Sequence, residues 1–149
     1  MTEASLELAR ATLEKVLSGL GIDPAVVRST DTDDLVVYVL QRGSASVYVS
    51  IGVERGRGYV RVSAPVVGLP DDGEARTRLY ERLLHLNARG LSNAAFGVHD
   101  GVVVAVSERP LEGLDGVELE QMVTHLGAVA DTFDDRLAAE FGVQRASSR

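Results

Sequence analysis

Histidines are the residues of this chain best suited to catalysis or metal binding, and they are His85, His99 and His125. A helix presents a metal-binding pair when two ligands stand three or four residues apart, and no two of these histidines do. Cysteine is absent, which excludes disulfides, thiolate zinc sites and cysteine nucleophiles. We therefore expect surface and turn roles for the histidines, and no bound metal.

Acidic and glycine-containing stretches also lack the spacing of known ligand-binding motifs. Residues 31–34 form an acidic run, but a calcium loop also needs a central glycine and a terminal glutamate at fixed positions. Gly52, Gly56 and Gly58 fit neither the dinucleotide-binding pattern nor the P-loop, and are interpreted as turn glycines. No serine stands in a nucleophile elbow. The sequence therefore predicts a protein that is not an enzyme and has no cofactor.

Composition favours a single domain over residues 1–149. The chain is 45% hydrophobic, so it can bury a core without disulfide or metal support. A formal net charge of −7 and scattered arginines argue against nucleic acid as a partner. The first residues are acidic where a secretory signal is basic, and no apolar run reaches the ~20 residues of a membrane helix. We expect a cytoplasmic protein that does not bind membranes.

Three segments have the periodicity of amphipathic helices. These helices are predicted at about residues 3–18, 72–89 and 116–141. In the second helix the apolar arc spans roughly 160°, wider than the ~100° stripe that one contact surface requires. We therefore predict that this helix contacts its own sheet and one further surface, with Tyr80, Leu83, Leu84 and Asn87 as the candidate residues. For Asn87 the alternative is a structural role, bonding to exposed carbonyls or to the following strand.

Five segments alternate, or are continuously apolar, as strands are. They are predicted at about residues 35–41, 44–54, 57–66, 93–99 and 102–107. Two-residue turns are predicted at positions 42–43, 55–56 and 100–101. The first two turns would place Val49 opposite Val36 on one side and Val62 on the other. The segment before the first strand is interpreted as a polar connection, and residues 143–149 as a frayed tail.

The first three strands would form a meander with two different faces. One face is the predicted core, made of Val36, Tyr38, Leu40, Val47, Val49, Ile51, Val60 and Val62. The other carries Val37, Val39, Tyr48, Tyr59 and Arg61, and is more apolar and aromatic than a solvated sheet face. Aromatic residues and arginine are enriched at interfaces, so we predict that these five residues bind a partner. Cross-strand pairing, or burial beneath a helix, is the alternative.

The order α-β-β-β-α-β-β-α resembles that of YbjN-like domains and, more broadly, the type III secretion chaperone-like fold. Local sequence carries the resemblance too: LYERLLHLN at 79–87, AAFGV at 94–98, GVVV at 101–104 and PLEGL at 110–114. The likeness extends over about residues 3–142. It implies an α+β fold in which an antiparallel five-stranded sheet, a meander plus a hairpin, packs with helices.

The resemblance also implies a small, acidic, often dimeric bacterial protein. Secretion chaperones of this fold hold an extended stretch of a client protein, and their second helix commonly takes part in dimerisation. YbjN-like domains are described as regulators of sensory transduction. We therefore expect a non-enzymatic protein-interaction module, chaperone-like or regulatory, that binds a segment of a partner protein. With the resemblance, the wide arc of the second helix predicts a homodimer whose interface is formed by Tyr80, Leu83, Leu84 and Asn87. A small-molecule sensor with an apolar pocket between sheet and helices, or a structural subunit of an assembly, is the alternative.

Overall fold

The computed structural model describes residues 3–146 of the chain. Within these residues the helices are α1 (Glu3–Gly19), α2 (Pro24–Val27), α3 (Gly73–Arg89) and α4 (Gly116–Phe141). The strands are β1 (Arg28–Asp31), β2 (Leu35–Arg42), β3 (Ala45–Glu54), β4 (Arg57–Gly68), β5 (Ala95–His99) and β6 (Val102–Pro110). The predicted bounds differ most at the end of β6, which continues beyond the predicted residue 107 to Pro110.

The strands of the described part form one antiparallel sheet in the order β1-β2-β3-β4-β6-β5. The α+β class with an antiparallel sheet packed against helices is confirmed, but the count of five strands is wrong because the sheet has six. The extra strand, β1, lies in the segment interpreted as a polar connection. Its sequence, RSTD, has no apolar alternation because β1 is a short edge strand without a buried residue.

The turn between β2 and β3 lies one residue later than predicted. Its central residues are Gly43 and Ser44, and as a result Val49 faces Tyr38, not Val36. Gly43 has a φ of 59°, which suits the first central position of a type II′ turn. Because the pairing is displaced by two positions, every side chain keeps its predicted face. The register of β3 with β4 is as predicted, and both of its turn residues have positive φ.

Helices α1 and α4 cover one face of the sheet. α4 packs on β2, β3, β4 and β6, and α1 lies beside α4. Beneath them lie the predicted core residues, all buried: Val36, Tyr38, Leu40, Val47, Val49, Ile51, Val60 and Val62. Gly127 permits the close approach of α4, because a Cβ at this position would lie 2.9 Å from the Cβ of Arg42. This helix-covered face is the hydrophobic core.

A polar network joins α1 to the edge of the sheet. The hydroxyl of the buried Tyr38 donates a hydrogen bond of 2.6 Å to Glu14, which also accepts one from Arg28. Arg10 donates bonds of 3.0 and 2.7 Å to the two carboxylate oxygens of Asp31 in β1. The Tyr38 hydrogen bond, aided by Arg28, holds the pKa of Glu14 below its ordinary value of 4.5. The network therefore anchors β1 and α1 to the core.

The segment after α4 is docked on the sheet, so the prediction of a frayed tail is wrong for its described part. Arg145 forms a bridge with Val67 at the end of β4, and the Gly68 amide donates a 3.0 Å bond to the Gln144 carbonyl. Arg145 also forms a 3.0 Å ion pair with Asp135. Residues 147–149 lie outside the described part. The end of α4 is thereby tied to β4.

Replacing Tyr38 by Phe should lower the free energy of unfolding at pH 7 by about 1 kcal/mol, because Glu14 loses a donor while the ring packing stays. The folded-state pKa of Glu14 is lowered, so its contribution is present above its ordinary value of 4.5 and is lost as pH falls through the folded-state value. The difference between the two proteins should therefore shrink as the pH falls below 4.5. Urea unfolding at several pH values measures this.

The control for this change is Tyr48→Phe, which removes an exposed hydroxyl on the other face of the sheet and should leave stability unchanged. Equal losses in the two variants, or a Tyr38→Phe loss that is constant from pH 7 to pH 3, would contradict the proposed role of the network.

Candidate functional site

The second face of the sheet carries no helix in the described part of the chain. Along β2, β3 and β4 the residues on this side are mostly half-buried or exposed, whereas their neighbours in sequence are mostly buried against the helices. We call this surface the open face. It brings together all the residues predicted to bind a partner: Val37, Val39, Tyr48, Tyr59 and Arg61.

A row of mostly apolar side chains crosses the open face. Strand register places side by side the residues Val39, Tyr48, Ser63, Val106 and Ala95. Tyr48, the second residue of this row, is 39% exposed, which is high for a tyrosine on a strand inside the sheet. Sequence analysis did not place Val106 and Ala95 here, because β4 pairs with β6, a strand that does not follow it in the chain. The apolar surface is therefore wider than predicted.

A second row carries the charge of the open face. It contains Val37, Ser50, Arg61 and Glu108. Arg61 Nη1 and Glu108 Oε2 lie 2.8 Å apart in an exposed ion pair, which adds little to stability but neutralises the arginine. At the end of the sheet, the exposed Glu54 stands opposite the exposed Arg57. The open face is thus balanced in charge, although the chain carries a net charge of −7.

Tyr59 lies across Gly52, its partner on the neighbouring strand. A Cβ built on Gly52 would lie 2.8 Å from the Tyr59 hydroxyl oxygen and 3.1 Å from the Asp34 carbonyl oxygen. Gly52 and Gly58 lie inside β3 and β4, so their interpretation as turn glycines is wrong, whereas Gly56 does lie in a turn. The absence of a side chain at Gly52 lets the tyrosine ring lie flat on the sheet.

A cleft of about 1040 Å³ continues the open face around the end of the sheet. One wall is α1, with Leu8, Ala9 and Thr12, and the other includes Tyr59 and Pro110. Leu8 is 70% exposed at its mouth. The amphipathic pattern of α1 predicted which side chains are buried, but it did not predict that Leu8 lines a cleft. Sequence analysis therefore did not identify the cleft.

The residues predicted for the dimer interface on α3 have different environments. Leu84 is 69% exposed and Tyr80 is also exposed, whereas Leu83 is only 4% exposed and belongs to the chain's own core. Asn87 bonds to the backbone of Phe96 through both its amide nitrogen and its oxygen. The accessible part of the predicted interface therefore reduces to Tyr80 and Leu84.

The histidines do not converge. His125 lies 2.5 Å from the Leu91 carbonyl oxygen, and His85 and His99 are exposed beside Glu81 and Asp100. Among residues 3–146 no three histidine, aspartate or glutamate side chains cluster to hold a metal ion. Nor, in that range, does any helix have the length and apolarity to cross a membrane.

Comparison with known proteins identifies the family. The family model TY-Chap1, described as "T3SS (YopN, CesT) and YbjN peptide-binding chaperone 1", matches residues 7–148. The chain therefore belongs to this family of peptide-binding chaperones, as the resemblance implied. It is a chaperone-like protein-interaction module, and the family is not one of enzymes. No curated protein sequence matches the chain significantly.

Two solved structures show the same fold. A chain in the structure titled "Crystal Structure of the ExsC-ExsE Complex" superposes with a TM-score of 0.61 at 16% identity, covering 87% of this chain and 92% of that one. A chain in "Structure of the HopA1-SchA Chaperone-Effector Complex" gives 0.59 at 14% identity, covering 91% and 98%. At these identities the likeness establishes the fold alone.

Replacing Gly52 by Ala should lower the free energy of unfolding by roughly 1–3 kcal/mol, because the new methyl group overlaps the Tyr59 hydroxyl and the Asp34 carbonyl. The Tyr59 ring resonances in an NMR spectrum should shift as the ring moves. The control is Gly19→Ala, since nothing lies within 4 Å of that position. If both variants keep wild-type stability and ring shifts, Gly52 does not hold Tyr59 in place.

Proposed function

We propose that the protein binds an apolar segment of a partner protein on the open face, as a chaperone or adaptor. The observation that carries this proposal is the convergence of Val39, Tyr48 and Tyr59 with Val106 on a sheet face that no described helix covers. An uncovered apolar face of this kind is typical of an interaction surface. The family membership supports a peptide as the bound species.

The composition of the open face suits a partner that is held by side-chain contacts. Tyr48 and Tyr59 offer large, rigid rings with polar tips, the kind of side chain that dominates binding energy at interfaces. Backbone groups inside the sheet are already paired with neighbouring strands. Binding affinity must therefore come from contact between the partner and the apolar side chains of the open face. A charged segment would gain little, because the open face has no net charge.

The cleft beside α1 extends the same path. Tyr59 and Pro110 belong to both the open face and the cleft, and Leu8 lies on the opposite wall. A segment long enough to leave the face at Tyr59 would bury Leu8, which is otherwise 70% exposed. We propose that the cleft holds the end of the bound segment.

We also propose that two copies pair through α3. Tyr80 and Leu84 are four residues apart, so they stand on one side of the helix, and both are exposed. A symmetric dimer would cover them with the same residues of the second copy. The cytoplasmic location expected from the sequence stays a prediction.

The change Tyr48→Glu should abolish partner binding, because it places an unpaired charge within the row of apolar side chains. We expect at least a tenfold loss of captured partner from native lysate, the loss that a hot-spot residue gives. Gln121→Glu is the matched control, since it adds the same charge to an exposed position of α4. Circular dichroism verifies folding, and equal capture by all three proteins would remove the open face from consideration.

The double change Tyr80→Asp, Leu84→Asp should convert a dimer into a monomer, because four carboxylates would meet across the two-fold axis. Light scattering at micromolar concentration should give about twice the chain mass of 15.9 kDa for the wild type and the single mass for the variant. The control carries Arg78→Asp and His85→Asp, on other sides of α3. A monomeric wild type, or a variant that remains dimeric, refutes the α3 dimer without affecting the open-face proposal.

A further inference from the structure

The turn between β2 and β3 is joined to α4 by a cluster of one serine and two aspartates. The Ser44 hydroxyl oxygen lies 2.5 Å from Asp131 Oδ1 and 2.5 Å from Asp134 Oδ2, and the Ser44 amide donates a 2.8 Å bond to Asp131 Oδ1. The Asp131 carboxylate lies against the turn itself, because a Cβ on Gly43 would lie 2.6 Å from its Oδ1. Two carboxyl groups of α4 therefore meet at one hydroxyl.

The two aspartates of this cluster have different surroundings. Asp131 is exposed, whereas Asp134 belongs to the buried stripe of α4 and is only 3% exposed. Asp134 Oδ1 has no hydrogen-bond partner among residues 3–146. An ionised carboxylate in such a place would lose its hydration without a compensating bond, and buried acids of this kind become neutral instead.

The positive charges on either side of the cluster do not pair with Asp134. Arg145, in the segment after α4, is bound at 3.0 Å to Asp135. Arg42, at the end of β2, packs against α4 but forms no ion pair with Asp134 within the part of the chain that the structure describes. The charge of an ionised Asp134 would therefore have no nearby partner.

The other elements packed against α4 offer no compensating charge either. The side chains that β3 and β4 direct into the core are uncharged. Arg109 of β6 is bound to Glu118, near the start of α4. α1 also meets α4 at its start, where Gly116 lies beside Thr12. Asp134 is in the last third of the helix, away from these groups.

A count of hydrogen atoms shows that one carboxyl group of the cluster carries a proton. The Ser44 hydroxyl has a single hydrogen, yet two carboxyl oxygens lie within hydrogen-bond distance of it. The hydroxyl and the amide of Ser44, aided by the charge of Arg145, hold the pKa of Asp131 below its ordinary value of 3.8. Asp131 is therefore the ionised member, and the extra hydrogen belongs to the buried Asp134.

We infer that Asp134 is a proton-binding site, which makes the contact between the β2–β3 turn and α4 depend on pH. In the folded protein at pH 7 its carboxyl group is neutral and donates its hydrogen to Ser44 Oγ, whose own hydrogen goes to Asp131. When the proton is lost, two negative charges share one hydroxyl hydrogen, and the contact weakens. This site lies on the helix-covered side of the sheet and does not depend on the proposed partner binding.

Carbon-13 NMR of the wild-type protein tests the inference without any variant. At pH 7 the side-chain carboxyl carbon of Asp134 should have the chemical shift of a neutral acid, and that of Asp131 the shift of a carboxylate. A carboxylate shift for Asp134 at pH 7 would overturn the inference.

The change Asp134→Asn tests the effect on stability, because it puts in place of the neutral acid a neutral amide that can still donate to Ser44. Urea unfolding should be compared from pH 5 to pH 7. Over this range the unfolding equilibrium constant of the wild type should rise relative to that of the variant, by up to about tenfold per pH unit. The unfolded chain gives up a proton that the folded chain keeps, so a higher pH favours unfolding of the wild type.

Asp131→Asn is the matched control, since it makes the same chemical change on the neighbouring carboxyl group. Asp131 is ionised in both the folded and the unfolded chain from pH 5 to pH 7, so the ratio of wild-type to variant unfolding constants should stay constant over that range. A constant ratio for Asp134→Asn, or the same pH dependence in both variants, would show that Asp134 does not hold the proton.

Discussion

The structure depends on one constraint, which is that its sheet buries a single face. α1 and α4 pack on the side of Tyr38, and the buried stripe of α4 is matched to that side alone. The helices therefore cover the apolar residues on one face of the meander. The residues on its open face remain accessible to solvent or to another molecule. The sheet and the helices already form two packed layers, and the open face leaves room for a third. The open face is thus a direct consequence of the way the core is formed.

The sequence predicted the features that local periodicity determines. Alternation assigned the predicted core residues and the predicted partner-binding residues of the meander to their correct faces. Even the displaced turn at Gly43 changed no side chain from one face to the other. Features that depend on distant parts of the chain were missed. β1 has no apolar pattern because it is short and at an edge, and it is held by its pairing with β2 and by the ion pair of Arg10 with Asp31. The width of the open face could not be predicted, because it depends on the pairing of β4 with β6, which is not the next strand in the chain.

The apolar pattern of α3 predicted that the helix makes more than one contact, but not which residues make each contact. Its wide apolar arc was correctly interpreted as too broad for one contact surface, but the arc alone did not divide core from surface. The structure makes the division, because Leu83 points into the core while Leu84, its neighbour, points outward. Asn87 was weighed between partner contact and a bond to the following strand, and its two bonds to Phe96 are of the second kind. Neighbouring positions on one helix thus have three different roles.

The ion pair of Arg61 with Glu108 also bears on how fast a partner can associate. Long-range attraction raises association rates only when opposite fields face each other, and the open face has no net charge to supply such a field. The excess negative charge of the chain lies elsewhere on the molecule. Encounters with a neutral segment should therefore proceed at the unsteered rate of about 10⁵–10⁶ M⁻¹s⁻¹ and change little with ionic strength. How long a partner stays bound would then be decided by the apolar rows, and discrimination between partners would come from dissociation.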